Sequence, residues 1–361
     1  MKEKILRVLH FELTRNYGGI ESLLLKISNY ILRKDENMQF DFVTTDTEKL
    51  PYEEELTNLG CNIYRLPAEK NIVNYVRKID KIMKANKYDV VHIHKNSLIN
   101  VIPVFVAKYN NIGKVIVHSH NTAPTKRSVV LNGIHYINKA ILNHINISRV
   151  ACSKEAGEWL FGNKKKVNVI PNGIELEKYV YDENIRNRVR KEFSILKEEI
   201  LIGNVGRLEE QKNQLFLIKA LKKLDSKYKL IIIGEGKLRE NLVREIKADA
   251  LSDRVILTGA RKDVEDLLQA MDIFAMPSLH EGLPIAGIEA QASGLPVIIS
   301  DRVSKEVKLT SSVYFEKLQL ENWINCIKKI NKDRSRNASS YIKEEGYDIE
   351  STVNKIFKLY K

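Results

Sequence analysis

The sequence predicts an α/β protein of two domains, each built on a parallel, doubly wound sheet. Short apolar runs rich in Val and Ile alternate with helical stretches along most of the chain. This alternation stops once, at Pro171-Asn172-Gly173 and the charged stretch Glu175–Glu192, and then starts again. The chain has 361 residues, which is long for one ordinary core and comfortable for two. Strands that alternate with helices are typical of parallel sheets covered on both faces.

The first half contains seven strand-like runs separated by helical stretches. The predicted strands are Ile5–His10, Asp41–Thr45, Asn62–Leu66, Asp89–His94, Lys114–His118, Arg149–Ser153 and Asn168–Ile170. The predicted helices include Glu21–Leu32, Val73–Ala85, Asn100–Tyr109 and Gly133–Ile147. We place the domain boundary after residue 175, so that residues 1–175 form the first domain.

The second half, residues 176–344, repeats the same alternation. Its predicted strands are Ile200–Val205, Lys229–Ile233, Val255–Leu257, Ile273–Met276 and Val297–Ser300. Its predicted helices lie near Gln214–Leu224, Leu238–Ala250, Asp263–Ala270, Pro284–Ala292 and Glu321–Ile330. The segment Ile349–Tyr360 has the pattern of one more amphipathic helix.

Composition limits the compartment and the partners. The formal net charge is +13, and residues 1–180 hold most of it, with 27 Lys and Arg against 18 Asp and Glu. Such an excess can face phosphates, an anionic membrane or nucleic acid, or it can be a lysine-rich background. No apolar run approaches the roughly 18 residues of a spanning helix, and Ile5–Leu9 begins as a strand without a signal-peptide pattern. Three scattered cysteines, Cys61, Cys152 and Cys326, favour a reducing cytoplasm.

The stretch Ser278–Ala290 has the pattern of a ligand-binding strand-to-helix junction. A buried strand breaks into a turn at Glu281-Gly282, and Pro284 suits the first turn of the following helix. Gly282 lets backbone approach a ligand closely, and a helix start offers unpaired N–H groups. Glu281 and Glu289 could bracket a polyhydroxylated ligand. The alternative is an ordinary capped core helix with a solvated Glu.

The segment Gly206–Asn213 places two cations after the first strand of the second half. Arg207 and Lys212 follow the carboxyl end of a parallel strand, where ligands of open α/β sheets bind. Together they could stabilise the charge of a leaving diphosphate without a metal ion. The alternative is a salt-bridged Arg and a solvated Lys beside Glu209 and Glu210.

Glu281 and Glu289, with seven residues between them and Gly-Leu-Pro after the first, resemble the Glu-x7-Glu signature of family 4 retaining glycosyltransferases. Matching segments cover nearly the whole chain. The resemblance implies the GT-B architecture, two Rossmann-like domains facing across a cleft, with the last helix, about residues 345–361, returning to the first domain. The donor-side residues that it implies are Arg207, Lys212, Glu281, Gly282, Leu283, Pro284 and Glu289.

The resemblance also implies a role for each of these groups. Arg207 and Lys212 would hold the donor diphosphate, and Glu289 would accept hydrogen bonds from the ribose. Glu281 and the backbone after it would hold the transferred sugar.

Three glycine-containing loops are further candidates. Gly18-Gly19 lacks the third glycine of a dinucleotide fingerprint, but it forms either an anion-ready loop or a plain tight turn. Gly234 ends a strand of the second half, and most turns of its kind are structural. In the next loop Asp263 is a predicted helix N-cap. The resemblance implies that Gly18, Gly19 and Gly234 line the cleft and that the backbone near Arg261 flanks the nucleotide base.

Four histidines end two neighbouring strands of the first half, namely His92, His94, His118 and His120. We expect His-x-His on a strand to send its side chains to opposite faces, and no HExxH or Cys cluster lies nearby, so no metal and no cofactor is expected. The resemblance implies that one His after this strand orients an acceptor hydroxyl or the donor sugar. We prefer His120 to His118, and with Glu281, Arg207 and Lys212 it completes the predicted catalytic set.

The helix Val73–Lys87 is basic and amphipathic. It can lie on anionic lipid, or it can pack as a core helix with a solvated basic face. The apolar stripe consists of Val73, Val76, Ile79, Ile82 and Met83, and the cations around it are Arg77, Lys78, Lys81, Lys84 and Lys87.

These observations predict a retaining glycosyltransferase. We expect a nucleotide-sugar donor, UDP-hexose or UDP-N-acetylhexosamine, and a glycan or lipid-linked acceptor of a bacterial surface polysaccharide. We expect a cytoplasmic protein with peripheral contact to an anionic membrane and no nucleic-acid partner. The alternatives are a same-fold sugar-nucleotide epimerase or phosphorylase, or a non-enzymatic basic protein that binds membrane or nucleic acid. Aromatic residues make up only 7% of the chain, and no nucleic-acid module is visible.

Overall fold

The structure is a computed structural model that describes residues 4–15, 18–35, 37–122 and 128–361. The chain divides into two compact units. Unit 1 comprises Met1–Gly173 together with Ile349–Lys361, and unit 2 comprises Ile174–Asp348.

Unit 1 is built on a parallel sheet. Its strands are β1 (Leu6–Phe11), β2 (Met38–Thr44), β3 (Asn62–Arg65), β4 (Val90–Lys95), β5 (Lys114–Ser119), β6 (Ser148–Ala151) and β7 (Asn168–Val169), and they lie in the order β3-β2-β1-β4-β5-β6-β7. The helices between them are α1 (Gly19–Lys34), α2 (Glu53–Asn58), α3 (Ile72–Asn86), α4 (Ile102–Tyr109), α5 (Val129–Leu142) and α6 (Lys154–Phe161). The strand order reverses between β1 and β4, which is where ligands of such sheets bind.

Unit 2 repeats this plan. Its strands are β8 (Ile200–Val205), β9 (Tyr228–Ile233), β10 (Val255–Gly259), β11 (Ile273–Met276), β12 (Val297–Ser300) and β13 (Val313–Glu316), in the order β10-β9-β8-β11-β12-β13. Its helices are α7 (Glu183–Glu192), α8 (Gln214–Lys222), α9 (Arg239–Ala248), α10 (Val264–Ala270), α11 (Ile285–Ala292), α12 (Leu320–Lys329) and α13 (Ala338–Glu344). The order reverses between β8 and β11. The two sheets are therefore the predicted pair of doubly wound, parallel α/β sheets.

The last helix, α14 (Ile349–Tyr360), belongs to unit 1. Strand residues of β1 alternate between two apolar layers, with Val8 facing α1 and α14 and Leu9 facing α3 and α4. Val353 and Ile356 of α14 pack into the first layer. The helix is also held by Thr352, whose hydroxyl donates to the carbonyl of Pro171 at 2.8 Å.

Helix α3 takes the core-packed alternative. Ile79, Ile82 and Met83 of its apolar stripe are buried in the layer beneath the sheet, whereas Val73 at its start is 59% exposed. The buried stripe is therefore not available to lipid, and the basic face is solvated.

Within the described residues, no helix combines the length and the apolar character needed to cross a membrane.

Candidate active site

The candidate site of unit 2 lies where the strand order reverses. The loops after β8 and β11 leave the sheet there and are tied to each other. The backbone N–H of Leu279 donates to the carbonyl of Gln211 at 2.8 Å, and the Gln211 side chain donates to the carbonyl of His280 at 2.9 Å. Asn213 donates to the carbonyl of Pro277 at 3.1 Å. These bonds fix the two loops that carry the predicted donor residues.

Lys212 and Glu281 meet across these loops. The Lys212 Nζ lies 2.6 Å from Glu281 Oε1, and the two side chains are only 19% and 11% exposed. Lys212 Nζ and Glu281 Oε1 are close enough for an ion pair, but their geometry does not meet the angle of a hydrogen bond. Glu281 Oε1 therefore lacks a hydrogen-bond donor among the described residues. The pair thus keeps unused hydrogen-bonding capacity in a largely desolvated place, where it interacts strongly with a ligand.

Arg207 is far more accessible than Lys212. Its side chain is 53% exposed, and its guanidinium lies 3.3 Å from the carboxylate of Glu209. An exposed pair of this kind contributes little to stability, so the guanidinium can exchange its partner at small cost.

Gly234 and Gly236 allow close packing of the backbone after β9. A Cβ atom on Gly234 would lie 2.1 Å from the carbonyl oxygen of Gly206, and one on Gly236 would lie 2.5 Å from that of Leu208. The Gly234 N–H donates to the carbonyl of Gly259 at 2.9 Å. The close approach is therefore to neighbouring backbone, and the Gly234 N–H is used within the sheet edge.

Glu289 lies on α11 and is held by a tyrosine. The hydroxyl of Tyr179 donates to Glu289 Oε1 at 2.8 Å, and Tyr179 is buried. Burial and the adjacent carboxylate raise the pKa of Tyr179, so its proton stays in place. Tyr179 was missed in the sequence because it lies 110 positions from Glu289 and stands in no motif.

The segment from Glu281 to Pro284 is fixed by its surroundings. Ser304 donates its backbone N–H to the carbonyl of Glu281 at 3.3 Å. Gly282 and Pro284 are buried, and the side chain of Leu283 packs on the core of unit 2. Pro284 stands just before the first residue of α11, in agreement with its predicted place at the helix start.

Arg261 is occupied by acidic partners. It makes two hydrogen bonds to Asp263, at 2.8 and 2.7 Å, and an ion pair with Glu192 at 3.2 Å. These partners raise the pKa of Arg261 and lower that of Asp263. Asp263 precedes α10 as predicted but makes no side-chain cap, because its carboxylate binds Arg261 instead.

The glycine loop of unit 1 is filled by the chain itself. The N–H of Gly18 donates to Glu21 Oε2 at 3.2 Å, and the hydroxyl of Thr14 donates to the other oxygen of Glu21. Burial raises the pKa of Glu21. The expected anion position at the start of α1 is therefore taken by the Glu21 carboxylate, at least for Gly18. Asn16 and Tyr17 of this loop lie outside the described residues.

The histidines of unit 1 form one cluster, and their predicted orientation was wrong. Ring centroids of His92 and His94 are 4.2 Å apart, and those of His118 and His120 are 4.1 Å apart. Residues two apart on a strand point to the same face, so both pairs face the layer of α1 and α14. His10 on β1 joins them as a fifth member that sequence reasoning missed.

The imidazoles are linked into two short chains. His94 shares hydrogen bonds with His10 at 3.2 Å and with His120 at 2.9 Å. His92 shares hydrogen bonds with His118 at 3.2 Å and with the hydroxyl of Tyr360 at 2.7 Å. The roles of donor and acceptor depend on the tautomer of each ring.

Burial keeps these rings neutral. It lowers the pKa of His10 and of His120 to about 3, and burial and neighbouring imidazoles lower those of the other three further below the ordinary value. Ring nitrogens of two triads, His10/His92/His94 and His94/His118/His120, lie within 4.8 Å of one another. This spacing suits a transition-metal ion, so the argument from opposite faces against a metal does not hold.

A second Lys–Glu pair lies where the strand order of unit 1 reverses. Lys95 at the end of β4 forms an ion pair with Glu12, which follows β1. The Lys95 side chain is 4% exposed, and burial lowers its pKa to about 7. Neither residue was predicted, because no familiar motif contains them.

Two family models match the chain and together span most of it. Residues 17–178 match the model described as "Glycosyltransferase Family 4", and residues 185–341 match the model described as "Glycosyl transferases group 1".

Curated relatives extend over the whole chain. The putative glycosyltransferase EpsF of Bacillus subtilis is 29% identical, over 98% of this chain and 96% of the relative. The UDP-Gal:alpha-D-GlcNAc-diphosphoundecaprenol alpha-1,3-galactosyltransferase of Escherichia coli is 27% identical, over the same shares of the two chains.

Solved structures share the fold. The crystal structure of Anabaena HepE in complex with UDP-glucose has a TM-score of 0.80 and 18% identity, and the match covers 98% of both chains. The family models cover both halves of the chain and the full-length relatives are glycosyltransferases, so the chain belongs to the family 4, group 1 glycosyltransferases.

Proposed function

We propose that this glycosyltransferase moves a hexose or N-acetylhexosamine from a UDP-sugar to a glycan or lipid-linked acceptor, with retention of the anomeric configuration. The observation that carries the proposal is the Lys212–Glu281 pair, because it places a cation and a carboxylate together at the ligand-binding edge of unit 2. The activity for which the Escherichia coli relative is named, on a UDP-sugar and a diphosphoundecaprenol acceptor, supports the same substrate classes.

In this proposal Lys212 and Arg207 bind the donor diphosphate. Lys212 turns from Glu281 toward phosphate, and Arg207 leaves its exposed pair with Glu209. The freed Glu281 then accepts a hydrogen bond from a hydroxyl of the sugar, beside the backbone of Gly282 and Leu283. Two cations stabilise the departing diphosphate, so no metal ion is assigned to the donor.

Glu289 is assigned to the ribose of the nucleotide. A carboxylate is an acceptor-only group when ionised, and it can take two hydroxyl hydrogen bonds. The hydrogen bond from Tyr179 holds one oxygen of Glu289 in place.

His120 and Gly19 are assigned to the acceptor or the transferred sugar. His120 is the less buried of the two predicted candidates, since His118 is fully buried. Its Nδ1 has no hydrogen-bond partner among the described residues, and its neutral ring can orient a hydroxyl without adding charge. The acceptor oxygen bonds to the anomeric carbon as the bond to the diphosphate breaks, and the hydroxyl proton passes to a diphosphate oxygen.

The donor assignment is tested by calorimetric titration of UDP-sugars into Lys212→Met, Arg207→Ala and Glu289→Gln. Each variant should bind the donor more weakly than the native chain. Lys223→Met serves as the matched control, because Lys223 makes an exposed pair with Glu321 elsewhere in unit 2. Unchanged donor affinity in all three site variants would overturn the assignment.

The reaction class and its stereochemistry need separate measurements. Release of UDP only when a sugar acceptor is present identifies transfer, whereas an epimerase converts the donor alone. An NMR coupling constant of the product's new anomeric centre reports whether configuration is retained, and inversion would refute that part.

A further inference from the structure

Helix α5 of unit 1 is built with its polar side inward. Its inward residues hold neighbouring loops by hydrogen bonds. Asn138 donates to the carbonyl of Leu98 at 2.6 Å, and Lys139 donates to the carbonyl of Trp159 at 2.6 Å. His135 is buried, stacks on Trp159 at a centroid distance of 4.3 Å and accepts the N–H of Leu98.

The outward side of α5 is apolar and carries no charge. Val130 is 72% exposed and Ile137 is 63% exposed. They belong to the i, i+4, i+7, i+11 row of one helix face. We define the α5 face as the exposed residues of this helix, which are Val129, Val130, Gly133, Ile134, Tyr136, Ile137, Ala140 and Ile141. Surface helices of globular proteins normally have the reverse arrangement, so this face is suited to a partner.

The surrounding sequence is basic and lacks acidic residues. Between Asp89 and Glu155 the chain has no Asp or Glu and seven Lys or Arg besides the buried Lys95, which pairs with Glu12. Several of these cations bond to carbonyl groups, such as Arg149 to the carbonyl of Leu142 at 2.9 Å and Lys114 to that of Leu359 at 2.8 Å. A carbonyl satisfies the N–H groups but does not cancel the charge, so this part of unit 1 keeps a positive field.

The carboxyl end of α5 also adjoins a run of three lysines. Lys165 donates to the carbonyl of Asn143, which follows α5 directly, at 2.9 Å. Lys164, Lys165 and Lys166 are all exposed. An apolar helix face that adjoins exposed cations is the arrangement of segments that lie in the plane of an anionic bilayer surface.

The geometry points to the α5 face as the surface that docks unit 1 on an anionic membrane. Its apolar side chains enter the acyl boundary, and the lysines after α6 meet lipid phosphates. A second copy of this chain is a poorer occupant, because an isologous contact through α5 would bring two copies of the exposed run Lys164–Lys166 together. The inference deepens the proposed function, since a lipid-linked acceptor would lie in the same membrane, and it moves the predicted membrane contact from α3 to α5.

The test is flotation of the full-length protein with vesicles of phosphatidylcholine, with or without phosphatidylglycerol. The native chain should float with the anionic vesicles and much less with the neutral ones, and added salt should weaken the binding. The double variant Val130→Asp, Ile137→Asp should lower the bound fraction at least roughly tenfold, because two exposed apolar anchors are replaced by anions.

Two controls isolate the α5 face. Val73→Asp changes an exposed apolar residue of α3 in the same unit and should leave vesicle binding unchanged. Lys164→Glu with Lys166→Glu should reduce binding to anionic vesicles while leaving the apolar face intact. Circular dichroism and thermal unfolding should show that all variants keep the native fold, since the altered side chains are exposed.

Three outcomes would overturn the inference. The first is that the native chain fails to float with anionic vesicles. The second is that Val73→Asp weakens vesicle binding as much as the double variant does. The third is that the double variant converts a dimer to a monomer, as measured by light scattering. The assay contains no nucleotide sugar. A negative vesicle result therefore does not contradict the proposed glycosyltransferase activity. A negative donor-binding result, in turn, does not contradict the proposed membrane contact.

Discussion

The two units reverse their strand order at equivalent places, but they fill those places differently. In unit 1 the order β3-β2-β1-β4 brings together a buried Lys95–Glu12 pair and five imidazoles. In unit 2 the order β10-β9-β8-β11 brings together a Lys212–Glu281 pair and bare glycine backbone. The same topology therefore produces one edge filled mainly by neutral imidazoles and one edge whose cations include the exposed Arg207.

This difference indicates why the anionic donor is assigned to unit 2. Lys95 is 4% exposed, and its pKa falls to about 7, so its charge is weak and enclosed. Arg207 is 53% exposed and Lys212 is 19% exposed, so both are more accessible than Lys95. A preorganised cation that a ligand can reach stabilises a leaving diphosphate better than one that is desolvated within the fold.

The largest expected difference between the units is their response to acid. The pKa of each of the five clustered imidazoles is lowered from the ordinary 6.5 by burial, so below pH 6.5 the unfolded chain binds protons that the folded chain refuses. Their contribution is fully present above pH 6.5 and is lost as the pH falls toward about 3. Within that window each ring should lower the free energy of unfolding of unit 1 by about 1.4 kcal/mol for every unit by which the pH falls.

Tryptophan fluorescence separates the two units in this measurement. The chain has two tryptophans, Trp159 in unit 1 and Trp323 in unit 2. In Trp323→Phe the remaining Trp159 reports on unit 1, and in Trp159→Phe the remaining Trp323 reports on unit 2. The sequence of unit 2 contains one histidine, His280. Unit 1 should unfold at the higher pH of the two, and the reverse order would contradict the account.

The next largest effect should follow from Gly234→Ala in unit 2. The new Cβ would overlap the Gly206 carbonyl, and the residue has φ of +143°. The free energy of unfolding, followed in urea through Trp323, should fall by about 3 kcal/mol or more. Gly133→Ala in unit 1, followed through Trp159, is the control, since its Cβ meets nothing within 4 Å among the described residues and should stabilise α5 by about 0.5–1 kcal/mol. Equal losses in the two variants would contradict the backbone packing.

The two Lys–Glu pairs can be compared directly by Lys212→Met and Lys95→Met. Lys212→Met should lower kcat/KM about a hundredfold, or roughly 2.7 kcal/mol, because a charge on the leaving group loses its partner. Lys95→Met should change the stability of unit 1 while the KM for the UDP-sugar stays the same. Steady-state kinetics with the UDP-sugar varied distinguishes the two. A similar rise of the KM in both variants would show that the two edges do not differ as described.

The smallest effect concerns the support of Glu289. Tyr179→Phe removes one hydrogen bond to that carboxylate but leaves its charge and the packing of the ring. Donor affinity should fall about fivefold, or roughly 1 kcal/mol, in a calorimetric titration. Tyr341→Phe, at an exposed position on α13, should leave affinity unchanged. No change in Tyr179→Phe would mean that Glu289 does not depend on this support.

The sheets were predictable because their strands are apolar runs that must be buried on both faces. Ile200–Val205 and Ile273–Met276 were predicted with the bounds that the structure has. The edge strand Val313–Glu316 was not, because it is short and partly exposed and resembles a loop. Helix α7 was missed for a related reason, since its sequence is mostly charged and its apolar positions are few.

Other features depend on residues that are distant in the sequence. The Tyr179–Glu289 bond and the meeting of His10 with His94 require the tertiary fold, and no local pattern encodes them. The start of α5 was placed four residues late, at Gly133 rather than Val129, because an apolar segment with polar residues on its inner side violates the rule used to find helices. The pairing of Lys212 with Glu281 could have been predicted from the sequence, since both residues follow strands that flank a reversal of strand order.

The hydroxyl of Tyr360 on His92 has a consequence for how the protein is made. The residues that close one face of the first sheet are delivered by the ribosome only after the whole of unit 2 has been translated. Nascent unit 1 must therefore wait with an uncovered apolar layer while the later half folds, which reverses the usual order in which the earlier domain matures first.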